Sequence, residues 1–159
     1  MKKHQAIFGG IIVVVLTVLT AAHFFLSPFS NVDLQIRDAN GKMLAILPLA
    51  DRKFDYVLIH SIHLTKVEER YRVSATGGLH LYELRYQSSG VGMPADAEEG
   101  YRLEDGHFIL KMDRTIRTIP LFISIVPGHG ISTGGIFYPF TAWAKPEDVL
   151  HISARRPFF

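Results

Sequence analysis

Two stretches carry side chains that could do chemistry: residues 60–73, HSIHLTKVEERYRV, and residues 88–94, SSGVGMP. An imidazole paired with a carboxylate, His60 with Glu69, is the kind of couple that moves protons. The alternative is a histidine on the apolar face of a strand that pins a corner through hydrogen bonds, and that reading is preferred, because nothing beside His60 resembles an activated nucleophile. Ser61 is its neighbour, but adjacent strand residues diverge and no Gly-x-Ser-x-Gly elbow occurs. His60-x-x-His63 has a metal-like spacing, yet residues three apart on a strand point to opposite faces. No metal and no cofactor is therefore expected, although His80, His107, His129 and His151 leave room for a site assembled from several strands.

Gly90-Val91-Gly92-Met93-Pro94 lacks the further glycine of a dinucleotide fingerprint and the Gly-Lys-Ser/Thr ending of a phosphate loop. Two glycines bracketing one residue instead fit a tight bulge where backbone comes close to a ligand, a partner or the domain itself. The candidate ligand or partner site is thus His60, Ser61, Thr65, Glu69, Arg72, Gly90, Gly92, Met93 and Pro94. The aromatic patch Phe137, Tyr138, Phe140 and Trp143 is read as core or cover rather than as a sugar platform.

The elements that must position these residues are strands. Val32, Leu34 and Ile36 alternate with Asp33, Gln35 and Arg37, and a turn at residues 38–41 leads into a second run in which Pro48 marks an edge or a strand terminus. From Phe54 both faces are largely apolar, which predicts a central strand carrying Tyr56, Leu58 and His60 on one side. Thr65-Lys66-Val67-Glu68 has capping-box spacing, but the room before Tyr71 allows only one turn or a corner. Alternation then places His80, Tyr82, Leu84 and Tyr86 on one face, with Glu83, Arg85 and Gln87 on the wet one. Residues 89–105 read as a long loop. Pro120 is expected to break the apolar run around it, and glycines at 128–135 predict a second loop. Leu150, Ile152 and Ala154 form a last strand. No window shows sustained helical period, so the expected fold class is all-β, with eight to ten strands in an antiparallel β-sandwich or partly closed barrel.

Ahead of that domain, residues 6–26 form an uncharged apolar run, long enough as a helix to cross about 30 Å of hydrocarbon. Lys2 and Lys3 precede it, so the positive-inside rule puts the N-terminus in the cytoplasm and the domain outside. A cleaved signal ending at Thr20-Ala21-Ala22 is the competing reading, and an uncleaved anchor is preferred because the apolar run continues past that site. Residues 1–29 are accordingly an N-terminal transmembrane anchor with the lipid bilayer as partner, and residues 30–159 an extracytoplasmic domain at the inner membrane. The chain has 17 Lys and Arg against 15 Asp and Glu, and Lys2 and Lys3 account for the excess. A charge-balanced domain lacks the footprint of a nucleic-acid binder. Cysteine is absent, which excludes disulfides and thiolate chemistry.

Taken together, HSIHLTKVEERYRV, LYELRYQSSGVGMP and a Gly-Tyr-Arg-Leu segment before Asp105-Gly106 resemble a prokaryotic domain-of-unknown-function family, number eighteen-fifty. The matching positions are His60, Ser61, Thr65, Glu69, Tyr71, Arg72, Gly90, Gly92, Met93 and Pro94. His63 stands where an acidic residue is common, and Lys66 replaces the usual proline. The resemblance implies a small anchored or secreted protein encoded beside the membrane subunit of TAXI-type TRAP transporters, and hence a non-catalytic accessory role near that subunit. A two-lobed solute receptor would need about two domains of this size. The alternatives are a standalone envelope domain that binds a small ligand, and a hydrolase using His60 and Glu69.

Overall fold

The structure is a computed structural model that describes residues 32–49, 51–87 and 101–155. The apolar run at 6–26 and the four motif residues Gly90, Gly92, Met93 and Pro94 lie outside the described residues. Among those described, no helix is long and apolar enough to cross a membrane.

Among the described residues eleven strands follow one another: β1 (Val32–Asp38), β2 (Met43–Leu49), β3 (Lys53–Ile59), β4 (Lys66–Val73), β5 (Leu79–Tyr86) and β6 (Tyr101–Glu104). After them come β7 (His107–Ile116), β8 (Thr118–Phe122), β9 (Gly130–Thr133), β10 (Ile136–Pro139) and β11 (Val149–Arg155), with one 3-10 turn at Phe140–Ala142. They form two antiparallel sheets, ordered β2-β1-β11-β8 and β10-β9-β3-β4-β5-β7-β6. The described residues are thus all-β and a sandwich of two sheets rather than a barrel, with slightly more strands than the sequence pattern predicts.

Alternation decides what lies between the sheets. Val32, Leu34 and Ile36 of β1 are buried together with Leu150 and Ile152 of β11, against Phe54, Tyr71, Val73, Leu79 and Ile131 from the larger sheet. Each large side chain removed from water in this way stabilises the fold by roughly 1.5 to 3 kcal/mol. Phe140 is fully enclosed in the same core, so the aromatic patch is divided: Tyr138 and Trp143 stack at 6.5 Å, while Phe137 is exposed.

Three sequence expectations change, each for a local reason. Pro120 does not break its segment: β8 runs through it as an edge strand beside β11, where a missing N–H costs no ladder bond. Pro48 occupies the opposite edge in the same way. In β5 a register shift between Leu81 and Glu83 reverses the alternation, so the inward residues are Leu79, Leu81, Leu84 and Tyr86, and His80 points out to meet Asp113 at 2.9 Å. Finally, the end of the expected long loop is strand: β6 returns to β7 through Asp105 (φ 50°) and Gly106 (φ 73°), a turn with positive φ at both central positions that suits the twist of paired strands. Gly134 and Gly135 make the equivalent turn between β9 and β10.

Candidate functional site

Antiparallel pairing gives the larger sheet two distinct ends. The β3–β4 connection, the end of β5 and the start of β9 lie at one; the β4–β5 turn, the start of β3 and the β9–β10 turn lie at the other.

At the first end β3 stops at Ile59, and His60 opens a turn closed by His60 N–H donating to Thr65 O at 2.9 Å and Leu64 N–H donating to His60 O at 2.8 Å. Nδ1 of His60 accepts from the amides of Ile62 and His63, both at 3.3 Å. A ring that accepts at Nδ1 carries its proton on Nε2 when neutral. His60, Ser61 and Thr65 are therefore brought into one turn, with Ser61 exposed. Because the strand has already ended, His60 and His63 do not diverge as strand spacing predicted; their rings lie 5.0 Å apart. Among the described residues no three His, Asp or Glu side chains form a metal-binding group.

His129 reinforces the same end. Its Nε2 accepts from Ile59 N–H at 3.2 Å, and burial holds the imidazole below its ordinary pKa. The amide bond acts in the same direction physically, since only a neutral ring offers that lone pair.

Glu69 sits elsewhere. It lies on β4 opposite Tyr56, on the inner side of the sheet, and its Oε2 accepts from the Tyr71 hydroxyl at 2.6 Å. Burial pushes Tyr56 up to about 12, with the Glu69 charge adding to it. Tyr71 is raised further, by burial first and then by its bond to Glu69. Both phenols stay protonated and can donate to the carboxylate. The cross-strand partner of His60 is Thr65, four residues before Glu69, so the register sets His60 and Glu69 roughly 13 Å apart along the sheet. The sequence pairing of these two as a proton couple is not assembled. Arg72 faces the opposite side, with its guanidinium 5.4 Å above the Tyr82 ring. For the second motif, the backbone shows only where it departs: β5 ends at Tyr86 opposite Val67, at the His60 end.

The outer face of the larger sheet holds what sequence reasoning missed. Ser132, Asp55, Arg70, Glu83 and Lys111 occupy one row across five strands. Nη1 of Arg70 meets Glu83 Oε1 at 3.0 Å, while its Nε lies 3.9 Å from Asp55 Oδ1, is buried, and has no hydrogen-bond partner among the described residues. Burial raises the Asp55 pKa, and the Arg70 charge only partly offsets this. Toward the second end of the sheet, the row borders a cleft of about 240 Å³ whose rim is the Gly134–Gly135 turn. The alternating signs were visible in the sequence, but only the register places them in line.

A family model described as a domain of unknown function (DUF1850) matches residues 54–140. No curated protein and no solved structure matches the chain. The matched stretch runs from the second residue of β3 through β10 to the enclosed Phe140, which takes in almost all of the larger sheet and more than half of the sequence. The chain belongs to the DUF1850 family.

Proposed function

We propose that this protein is a membrane-anchored, extracytoplasmic accessory or binding domain, without catalysis of its own, that works beside a TAXI-type TRAP secondary transporter at the inner membrane. The observation that carries the non-catalytic part is how the motif's polar groups are used. His60 Nδ1 holds the turn amides and Glu69 holds Tyr71, so both act on the fold rather than face a common substrate position. The location rests on the sequence: an uncharged run at 6–26 behind Lys2 and Lys3 raises the effective concentration of the domain near any integral partner.

The test is co-expression with the transporter's membrane subunit. The two are expected to co-purify in mild detergent and to crosslink in intact cells; a chain that purifies alone under both conditions is not an accessory of that transporter. A second reading, a standalone small-ligand-binding domain of the envelope, is favoured by the polar cleft on the outer face.

A further inference from the structure

The cleft beneath the Gly134–Gly135 turn lies at the other end of the sheet from His60, and its polar groups are arranged differently. Its walls are Asp51, Lys53 and Asp55 from one strand and its approach, Arg70 and Tyr82 from the next two strands, and Ser132 from β9. We propose that it binds a small, neutral, hydroxyl-rich molecule, a monosaccharide or polyol, through Asp55, Arg70, Tyr82 and Ser132.

Charge gives the first argument. Asp51 and Asp55 cancel Lys53 and Arg70 within the cleft, so neither a free anion nor a free cation gains a net field there. Acceptors and donors are interleaved instead, and a hydroxyl, which donates and accepts through one oxygen, answers both.

Unused hydrogen-bonding capacity gives the second. The Thr133 hydroxyl is already committed to Lys53 O at 3.0 Å, and Asp51 Oδ1 accepts from Lys53 N–H at 3.0 Å. Among the described residues, no hydrogen bond reaches the Asp55 carboxylate, the Tyr82 hydroxyl or the Ser132 hydroxyl. Asp55 has only Arg70 Nε at 3.9 Å, beyond hydrogen-bond distance. Arg70 itself is anchored by Glu83 and does not need Asp55 to stay in place.

Size and shape give the third. A volume of about 240 Å³ equals the liquid share of about eight waters, below the range of drug-sized pockets and suited to one sugar ring. Arg72 already covers the Tyr82 ring, so recognition runs through hydrogen bonds rather than stacking.

The experiment uses the full chain, isotopically labelled, in a detergent without a sugar headgroup. D-glucose, D-galactose and myo-inositol are titrated in turn, followed by glycine, acetate and inorganic phosphate, and the amide resonances of Asp55, Tyr82 and Ser132 are followed. At least one hydroxylated probe is expected to shift them saturably, with Asp55→Asn and Ser132→Ala each weakening its affinity about tenfold or more. The proposal is overturned if no hydroxylated probe saturates, if a charged probe binds the same amides more tightly, or if both variants keep full affinity. Because transporter association is read by co-purification and this site by titration, either idea can fail while the other stands.

Discussion

The two ends of the seven-stranded sheet differ in how many of their polar side chains the backbone uses. At the His60 end side chains serve the backbone: His60 Nδ1 takes two amides and His129 Nε2 takes a third. At the Gly134 end, Asp55, Tyr82 and Ser132 line a cleft with hydrogen-bonding capacity left over. A histidine in a family motif is therefore no guide to chemistry until its bonds are counted. The more reactive-looking residues hold the fold together, and the plainer ones remain available.

The largest expected difference is between glycines. A Cβ on Gly130 would run into Tyr138 O and come within 2.7 Å of the Phe137 ring, and the backbone atom cannot yield cheaply. Gly130→Ala is expected to cost about 3 kcal/mol. At the cleft, Gly134 opens onto free space and has only its φ of +58° to object to a side chain, so Gly134→Ala should cost about 1 kcal/mol. Urea midpoints of the two variants decide it, and equal losses would mean the cleft turn is packed as tightly as the His60 end.

A smaller effect separates the side chains themselves. His60→Ala strips the acceptor from two turn amides and is expected to lose about 2 kcal/mol. His60→Asn, whose amide oxygen can accept from the residues that follow it, should recover about half of that. Asp55→Asn and Ser132→Ala are expected to stay within about 0.5 kcal/mol of the parent, since no fold bond depends on them. If Asp55→Asn proved as costly as His60→Ala in chemical denaturation, the cleft would be structural and the contrast between the ends would collapse.

This contrast also explains how much of the molecule could be read from its sequence. The all-β class, the central position of β3 and the edge position of β2 followed from alternation and Pro48, because burial writes itself into a period of two. Alternation failed where a single residue disturbed it: the shift near Tyr82 moved His80 to the wet face, and the end of β3 at Ile59 turned His60 and His63 toward each other. It also could not align Asp55, Arg70 and Glu83, which stand 13 to 15 residues apart and meet only through pairing register. His60, Ser61 and Thr65 share one turn because they are close in sequence. Glu69 was not separable from them without knowing that Tyr56 is its partner across the ladder.

The subtlest distinction is in acid. Burial lowers the His129 pKa, so the folded protein binds fewer protons there than the unfolded chain, whose histidine titrates near 6.5. Stability from this group is therefore complete above that value and is lost as the pH falls below it, down toward the folded pKa. Asp55 behaves in reverse. Burial raises its pKa above 3.8, so the ionised carboxylate disfavours the fold, and stability returns as the pH falls through the folded value toward 3.8. Acid should thus loosen the His60 end below 6.5 and relieve the cleft on the way down to 3.8. His129→Gln, which still offers an acceptor to Ile59 N–H but does not titrate, is expected to flatten the fall in urea midpoint as the pH drops below about 6.5, and Asp55→Asn to remove the recovery on the way down to 3.8. A His129→Gln midpoint that falls as steeply as the parent's would show that the acid sensitivity lies in some other group, and that the amide held by His129 does not set the stability of its end.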